Sequence, residues 1–114
     1  MYEYKAEVVK IIDADTVDLL IDLGFSVLSK QRVRLAGLNA PEKSTEEGKI
    51  AFAYLKSRLL LGVTVTVQSS KPGGGDKYGR YLATIVDSVG SINDALIASG
   101  HAVPWDGTGT KPVG

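Results

Sequence analysis

The sequence predicts a small, mainly β domain: five short strands closing on one another, one helix between the third and fourth, and a short helix after the fifth. Three observations point there. Runs of alternating apolar and polar residues recur between clusters of turn-forming residues. Two capping patterns, Ser44 to Glu47 and Ser91 to Asp94, each precede apolar residues at helical spacing. A chain of 114 residues with 44% hydrophobic residues has enough for one core and not for two.

Residues 3–12 are rich in β-branched and aromatic side chains until Asp13-Ala14-Asp15 interrupts them with turn chemistry. Residues 16–23 alternate, with Val17, Leu19 and Ile21 on one face and Thr16, Asp18 and Asp22 on the other, before Gly24. A third strand is expected over residues 26–38, Val33, Leu35 and Gly37 sharing one face while Arg32 and Arg34 stand away from that apolar set. Ile50, Ala51, Tyr54, Leu55 and Leu59 then recur at helical intervals, which predicts a helix over 46–61 that Gly62 stops. Val63, Val65 and Val67 alternate with Thr64, Thr66 and Gln68 in the next strand, and a fifth begins near Arg80 and ends before Ser88. The second capping pattern opens a short helix through Ala95, Leu96 and Ile97 that ends at Gly100. Residues 1–105 form the domain, and 106–114 read as a flexible tail. Five short strands with this helix placement suit the OB arrangement, a barrel whose closure removes exposed strand edges.

Thirteen Lys plus Arg balance thirteen Asp plus Glu, so no global field draws the chain to nucleic acid or to an acidic membrane. Any anion site must be local. The absence of cysteine excludes disulfides, zinc-thiolate centres and thiol nucleophiles. The N-terminus lacks the basic start and apolar stretch of a secretory signal, and no apolar run reaches membrane-spanning length. A cytoplasmic monomer without membrane attachment is expected.

Three polar clusters fall at strand ends: Asp13-Ala14-Asp15-Thr16, then Arg34 leading to Asn39-Ala40-Pro41-Glu42, then Asp76-Lys77-Tyr78-Gly79-Arg80. Taken singly, each has an ordinary explanation: aspartates bonding turn amides, a solvated arginine, a hairpin turn. Together they supply what phosphodiester hydrolysis requires. Hard dications take oxygen ligands, guanidinium forks grip phosphate oxygens, and a carboxylate can receive a proton from attacking water.

The stretches Ile12-Asp13-Ala14-Asp15-Thr16-Val17, Arg34-Leu35-Ala36-Gly37-Leu38-Asn39-Ala40-Pro41-Glu42 and Asp76-Lys77-Tyr78-Gly79-Arg80-Tyr81-Leu82-Ala83 resemble the staphylococcal nuclease (thermonuclease) family. Order and spacing match from about residue 5 to residue 100. The resemblance implies an OB barrel and calcium-dependent hydrolysis of DNA and RNA to 3′-phosphate products. It implies Asp15 as a direct calcium ligand, Asp13 acting through water, and the backbone carbonyl of Ala40 as a further ligand. Arg34 and Arg80 match the arginines that hold the reacting phosphate, and Glu42 the carboxylate that orients or deprotonates water. Lys77 and Tyr78 match positions contacting the nucleotide's other phosphate. Trp105 lies near where the family stacks aromatics on a base, with hydrophobic packing as the equal alternative. The lone His101 pairs with nothing in the pattern and receives no catalytic role.

One departure stands out. The family usually has a calcium-binding aspartate where this chain has Asn39, and threonine where it has Ala40. An amide oxygen can coordinate calcium, but the direct carboxylate count falls from two to one, which predicts weaker metal binding. Two function classes follow. The first is a metal-dependent nuclease acting on single-stranded DNA or RNA, similar to short leaderless copies carried by phages. The second is a non-catalytic OB module that binds nucleic acid through Lys71, Lys77, Arg80 and aromatic side chains over a degenerate metal site. A pure scaffold is a third possibility, disfavoured by Asp15, Arg34, Glu42 and Arg80 arriving together.

Overall fold

A computed structural model describes residues 2–69 and 81–105. Strand β1 (Tyr2–Asp13) pairs antiparallel with β2 (Thr16–Asp22) along one edge and, through its first half, with β5 (Thr64–Ser69) along the other. Irregularities between Val8 and Lys10 and between Ile11 and Asp13 bend it enough to serve both partners. Strand β3 (Leu28–Leu35) continues from β2, β6 (Tyr81–Val86) pairs with β5, and parallel pairing of Val33, Leu35 and Arg34 with β6 closes the barrel in the order β1-β2-β3-β6-β5. The expected five-stranded closed barrel, with a helix between its third and fourth strands and a second after the fifth, is the architecture found.

The deep inward set is apolar: Val8, Val17, Leu19, Val33, Leu35 and Ile85 are fully buried. Helix α1 (Glu46–Arg58) covers one end of the barrel with Ala51 and Leu55, and α2 (Ile92–Ala98) adds Ile92 and Leu96. Buried Asn93 in α2 ties the layers together, receiving the Ile85 N–H and donating to the carbonyls of Ala36 and Ala83. No helix among the described residues is long and apolar enough to cross a membrane.

Three expectations need correction. The third strand does not run over 26–38: residues 24–27 form a turn, and Gly37, at φ 80°, ends the strand and releases β4 (Leu38–Asn39) in a new direction. That short strand pairs with β7 (Val103–Pro104), making a second, two-stranded sheet that the alternation pattern did not predict. Helix α1 stops at Arg58 instead of 61, because backbone bonds from Gly62 to Val8 and from Val8 to Val63 draw the chain onto β1. Its cap is Thr45 rather than Ser44, and Ile50 faces solvent instead of the core. By contrast, Ser91 caps α2 as the spacing predicts, accepting from the Asp94 N–H at 3.2 Å.

The loop before α1 is held against the helix by close backbone packing. Thr45 donates both its N–H (3.0 Å) and its hydroxyl (2.7 Å) to the Glu42 carbonyl, and its hydroxyl oxygen accepts from the Gly48 N–H. A Cβ at Gly48 would overlap the carbonyl of Glu42. Gly48→Ala is therefore expected to destabilise the fold by about 1–3 kcal/mol in urea unfolding, although alanine is the better helix former.

Candidate functional site

Antiparallel pairing places Thr16 opposite Arg34, so the Asp13–Asp15 turn and the end of β3 lie side by side. The Leu35 N–H donates to the Asp15 carbonyl at 2.8 Å and locks that adjacency. After the Gly37 turn the chain doubles back, and β4 lays Asn39 and Ala40 beside the same spot. The result is a polar cleft of about 170 Å³ lined by Asp13, Asp15, Arg34, Ala40, Pro41, Glu42 and Lys43.

Arg34 lies on the face of β3 away from the barrel core, as the alternation predicts, and is only 7% exposed there, because the β3–β4 turn and the β4–β7 ribbon cover the outer face of β3 at this point. Its guanidinium donates from Nη1 to the Leu38 carbonyl at 3.2 Å and from Nη2 to Asp15 Oδ2 and Asn39 Oδ1, both at 3.4 Å. Trp105 closes the arrangement from behind, its ring centroid 5.3 Å from Arg34 Cζ and its backbone N–H donating to the Gly37 carbonyl at 2.9 Å. The Trp105 face that sequence reading assigned to a base or to packing thus lies against a guanidinium. The neighbouring Arg32 behaves as expected of a polar face, forking onto Asp18 at 2.8 and 3.2 Å and holding that carboxyl below its usual range.

Asp15 accepts the Ala40 N–H at 3.3 Å and the Thr16 hydroxyl at 3.3 Å, while Asp13 accepts the Asp15 N–H at 3.1 Å in the local bond that aspartates at turns commonly make. Burial first, and then the adjoining Asp13 carboxylate, push Asp15 up to about 6 against the opposing pull of Arg34 and the Ala40 amide. Among the described residues no group of three or more His, Asp and Glu side chains converges on one point. The donors at the cleft are the Asp15 and Asp13 carboxylates, the Asn39 amide oxygen and the backbone of Ala40. All are oxygen, and Arg34 leaves the buried carboxylate incompletely offset, so the set fits a hard dication in kind.

Glu42 is exposed at the cleft wall, on the loop that Thr45 and Gly48 anchor. Arg80, Lys77, Tyr78, Lys71 and the 106–114 tail lie outside the described residues. Sequence reading missed Lys43, which donates to the Ile12 carbonyl at 2.9 Å and ties the Glu42 loop to β1. It also missed the Leu38 carbonyl and Trp105 as supports for Arg34; backbone acceptors leave no compositional trace. His101 packs its ring against Tyr54 at 4.6 Å between centroids, away from the cleft residues.

Residues 32–110 match the family described as staphylococcal nuclease homologue. An uncharacterized endonuclease of Escherichia coli is 33% identical over 107 residues, covering 93% of this chain and 64% of that protein. Endonuclease YhcR of Bacillus subtilis (strain 168) is 30% identical over 112 residues, covering 88% of this chain and 9% of its own length. Protein ParB of Escherichia coli is 36% identical over 85 residues, 73% of this chain and 42% of that one. The chain therefore spans just under two thirds of the E. coli endonuclease and much less of the others.

Without a cation, folded Asp15 holds its proton more tightly than unfolded Asp15, so its contribution is present at low pH and lost as pH rises through about 6. In EDTA, the unfolding free energy of wild type relative to Asp15→Asn should fall by no more than about 3 kcal/mol between about pH 4 and about pH 7, measured by urea denaturation.

Proposed function

The chain belongs to the family of staphylococcal nuclease homologues, and from that premise we propose that it is a calcium-dependent nuclease. It hydrolyses phosphodiester bonds of single-stranded DNA or RNA to 3′-phosphate products. The observation that carries this reading is the buried Arg34 guanidinium, fixed against Asp15 in a cleft whose wall holds Glu42.

Calcium held by Asp15, Asn39 and the Ala40 carbonyl, with Asp13 acting through water, would add positive charge beside the reacting phosphoryl group. Arg34 holds a non-bridging oxygen of that group. Its bonds to Leu38 and Asn39 and its stacking on Trp105 set the fork before substrate arrives, so little reorganisation is left for the transition state. Glu42 accepts a proton from the water that attacks phosphorus, and as the new P–O bond forms the bond to the 5′ oxygen breaks, that oxygen taking a proton from solvent to leave as a 5′-hydroxyl with phosphate on the 3′ side. Arg80 is assigned the opposite side of the phosphoryl group on the strength of the family pattern alone. A shallow, surface-open cleft favours unpaired strands, whose backbone can reach Arg34 in line.

The competing reading, a binding module over a relic centre, has one observation in its favour: the Asn39 amide oxygen faces Arg34. Denatured DNA incubated with calcium should be cleaved by wild type and left intact in EDTA. Arg34→Ala and Glu42→Ala should each lower the rate by about 100-fold or more. Asn39→Asp should lower the calcium concentration needed for half-maximal rate. Cleavage that survives Glu42→Ala would remove Glu42 from the reaction, and cleavage that appears only in Asn39→Asp would replace this reading with the relic one.

A further inference from the structure

Beyond the cleft, the outward face of β3 carries a cation at every second residue. Arg34, Arg32 and Lys30 lie on it in succession, followed by Leu28, while Ser29, Gln31 and Val33 point into the barrel mouth. Alternate residues of a strand stand about 6.7 Å apart, so this face leads about 20 Å from Arg34 to Leu28 in steps commensurate with the phosphates of an extended single strand. The acid facing this row from β2 is Asp18, which is engaged by Arg32 and flanked by Lys10 of β1 and Lys30. Asp22 follows opposite Leu28, and its carboxylate accepts the Gly24 N–H at 2.8 Å. Across the three strands this outward face carries Lys5, Lys10, Lys30 and Arg32 against Glu7, which lies opposite Leu20, Asp18 and Asp22, an excess of one positive charge that continues to Arg34.

The row ends at a tip with a different character. Gly24 and Val27 close a tight turn, the Val27 N–H donating to the Gly24 carbonyl at 2.9 Å, and Phe25 and Ser26 occupy its centre at φ 53° and 63°. Glycine and asparagine are the residues that adopt those angles readily; for a phenylalanine the left-handed region is strained. The strain brings no burial in return, since the Phe25 side chain is fully exposed, with Leu23, Val27 and Leu28 exposed around it. A strained backbone that presents a bare aromatic ring at the end of a cationic row points to function at the tip.

We propose that the β2–β3 hairpin is a docking arm for single-stranded nucleic acid: Arg32 and Lys30 neutralise the phosphates next to the one at Arg34, and Phe25 stacks on a base farther along. The combination of a charged track with an aromatic platform is the chemistry by which single strands are held without reading their sequence. The proposal rests on the phosphodiesterase reading for the direction of the strand, and it makes substrate length the property the arm controls. A dinucleotide fills the cleft alone, whereas about five nucleotides at about 6.7 Å each span the row to the tip, so a strand of about twelve covers it with length to spare.

The test compares the full chain with Lys30→Glu and Phe25→Gly on a dinucleotide and on a single strand of about twelve nucleotides. Both variants should raise KM for the long strand about fivefold or more and leave the dinucleotide within about twofold. Lys30→Glu should also reduce by about one the slope of log affinity against log salt. Phe25→Gly relieves the left-handed strain, so its melting temperature should rise, which separates lost docking from lost folding. Equal effects on both substrates, no effect on either, or a change in the protein's sedimentation with Phe25→Gly and no change in long-strand KM would overturn the arm. The last of these would make the tip a contact between copies of the chain. If wild type cleaves neither substrate, the nuclease reading fails by itself. Anisotropy of a fluorescein-labelled strand then decides the arm: weaker binding by the two variants supports it, and unchanged binding overturns it.

Discussion

The site depends on keeping a guanidinium buried at the edge of a small barrel. Taking an arginine out of water costs several kcal/mol, and Coulomb attraction to one carboxylate does not by itself return it. Here the offset is divided among elements that have little else in common: Asp15 from the β1–β2 turn, the Leu38 carbonyl and Asn39 from β4, and the face of Trp105 beyond β7. The Gly37 turn and the β4–β7 ribbon are what bring the last three within reach. Seen this way, the second sheet is a cover over Arg34, and the barrel register that sets Thr16 against Arg34 decides where the cover must lie.

How much of this was legible in the sequence follows from the length over which each signal repeats. Strands β2 and β5 alternate over several residues against a single core, and both stand where their pattern predicts. Helix α2 is announced by Ser91 and Asp94. In α1 the cap is displaced by one residue, because Ser44 and Thr45 both suit the role and only Thr45 can also bond the Glu42 carbonyl. Strands β4 and β7 have two residues each, which is too short for any periodicity.

The candidate site shows the same division. Asp13, Asp15, Arg34, Ala40 and Glu42, singled out as residue types, come to one cleft. The burial of Arg34 was not readable. Alternation states which face of a strand a side chain takes; it does not state what the chain later folds across that face. Arg32 and Arg34 are indistinguishable by pattern, yet one forks onto Asp18 in the open and the other is enclosed. The difference arises from residues 36–40 and 103–105, contributed by two distant parts of the chain.

Asn39 takes on a different meaning in this setting. With aspartate there, a further carboxylate would adjoin Asp15 and Asp13 beside Arg34, and like charges at that distance oppose one another. With asparagine, Asp15 is the one enclosed anion paired with Arg34, and the amide accepts from the same guanidinium at no charge cost. An amide in this place leaves less negative charge at the site than a carboxylate would, and burial together with Asp13 still holds Asp15 above the usual carboxylate range. Among the described residues, Arg34 is held in place by protein groups alone, the Leu38 carbonyl, the Asp15 carboxylate and the Asn39 amide.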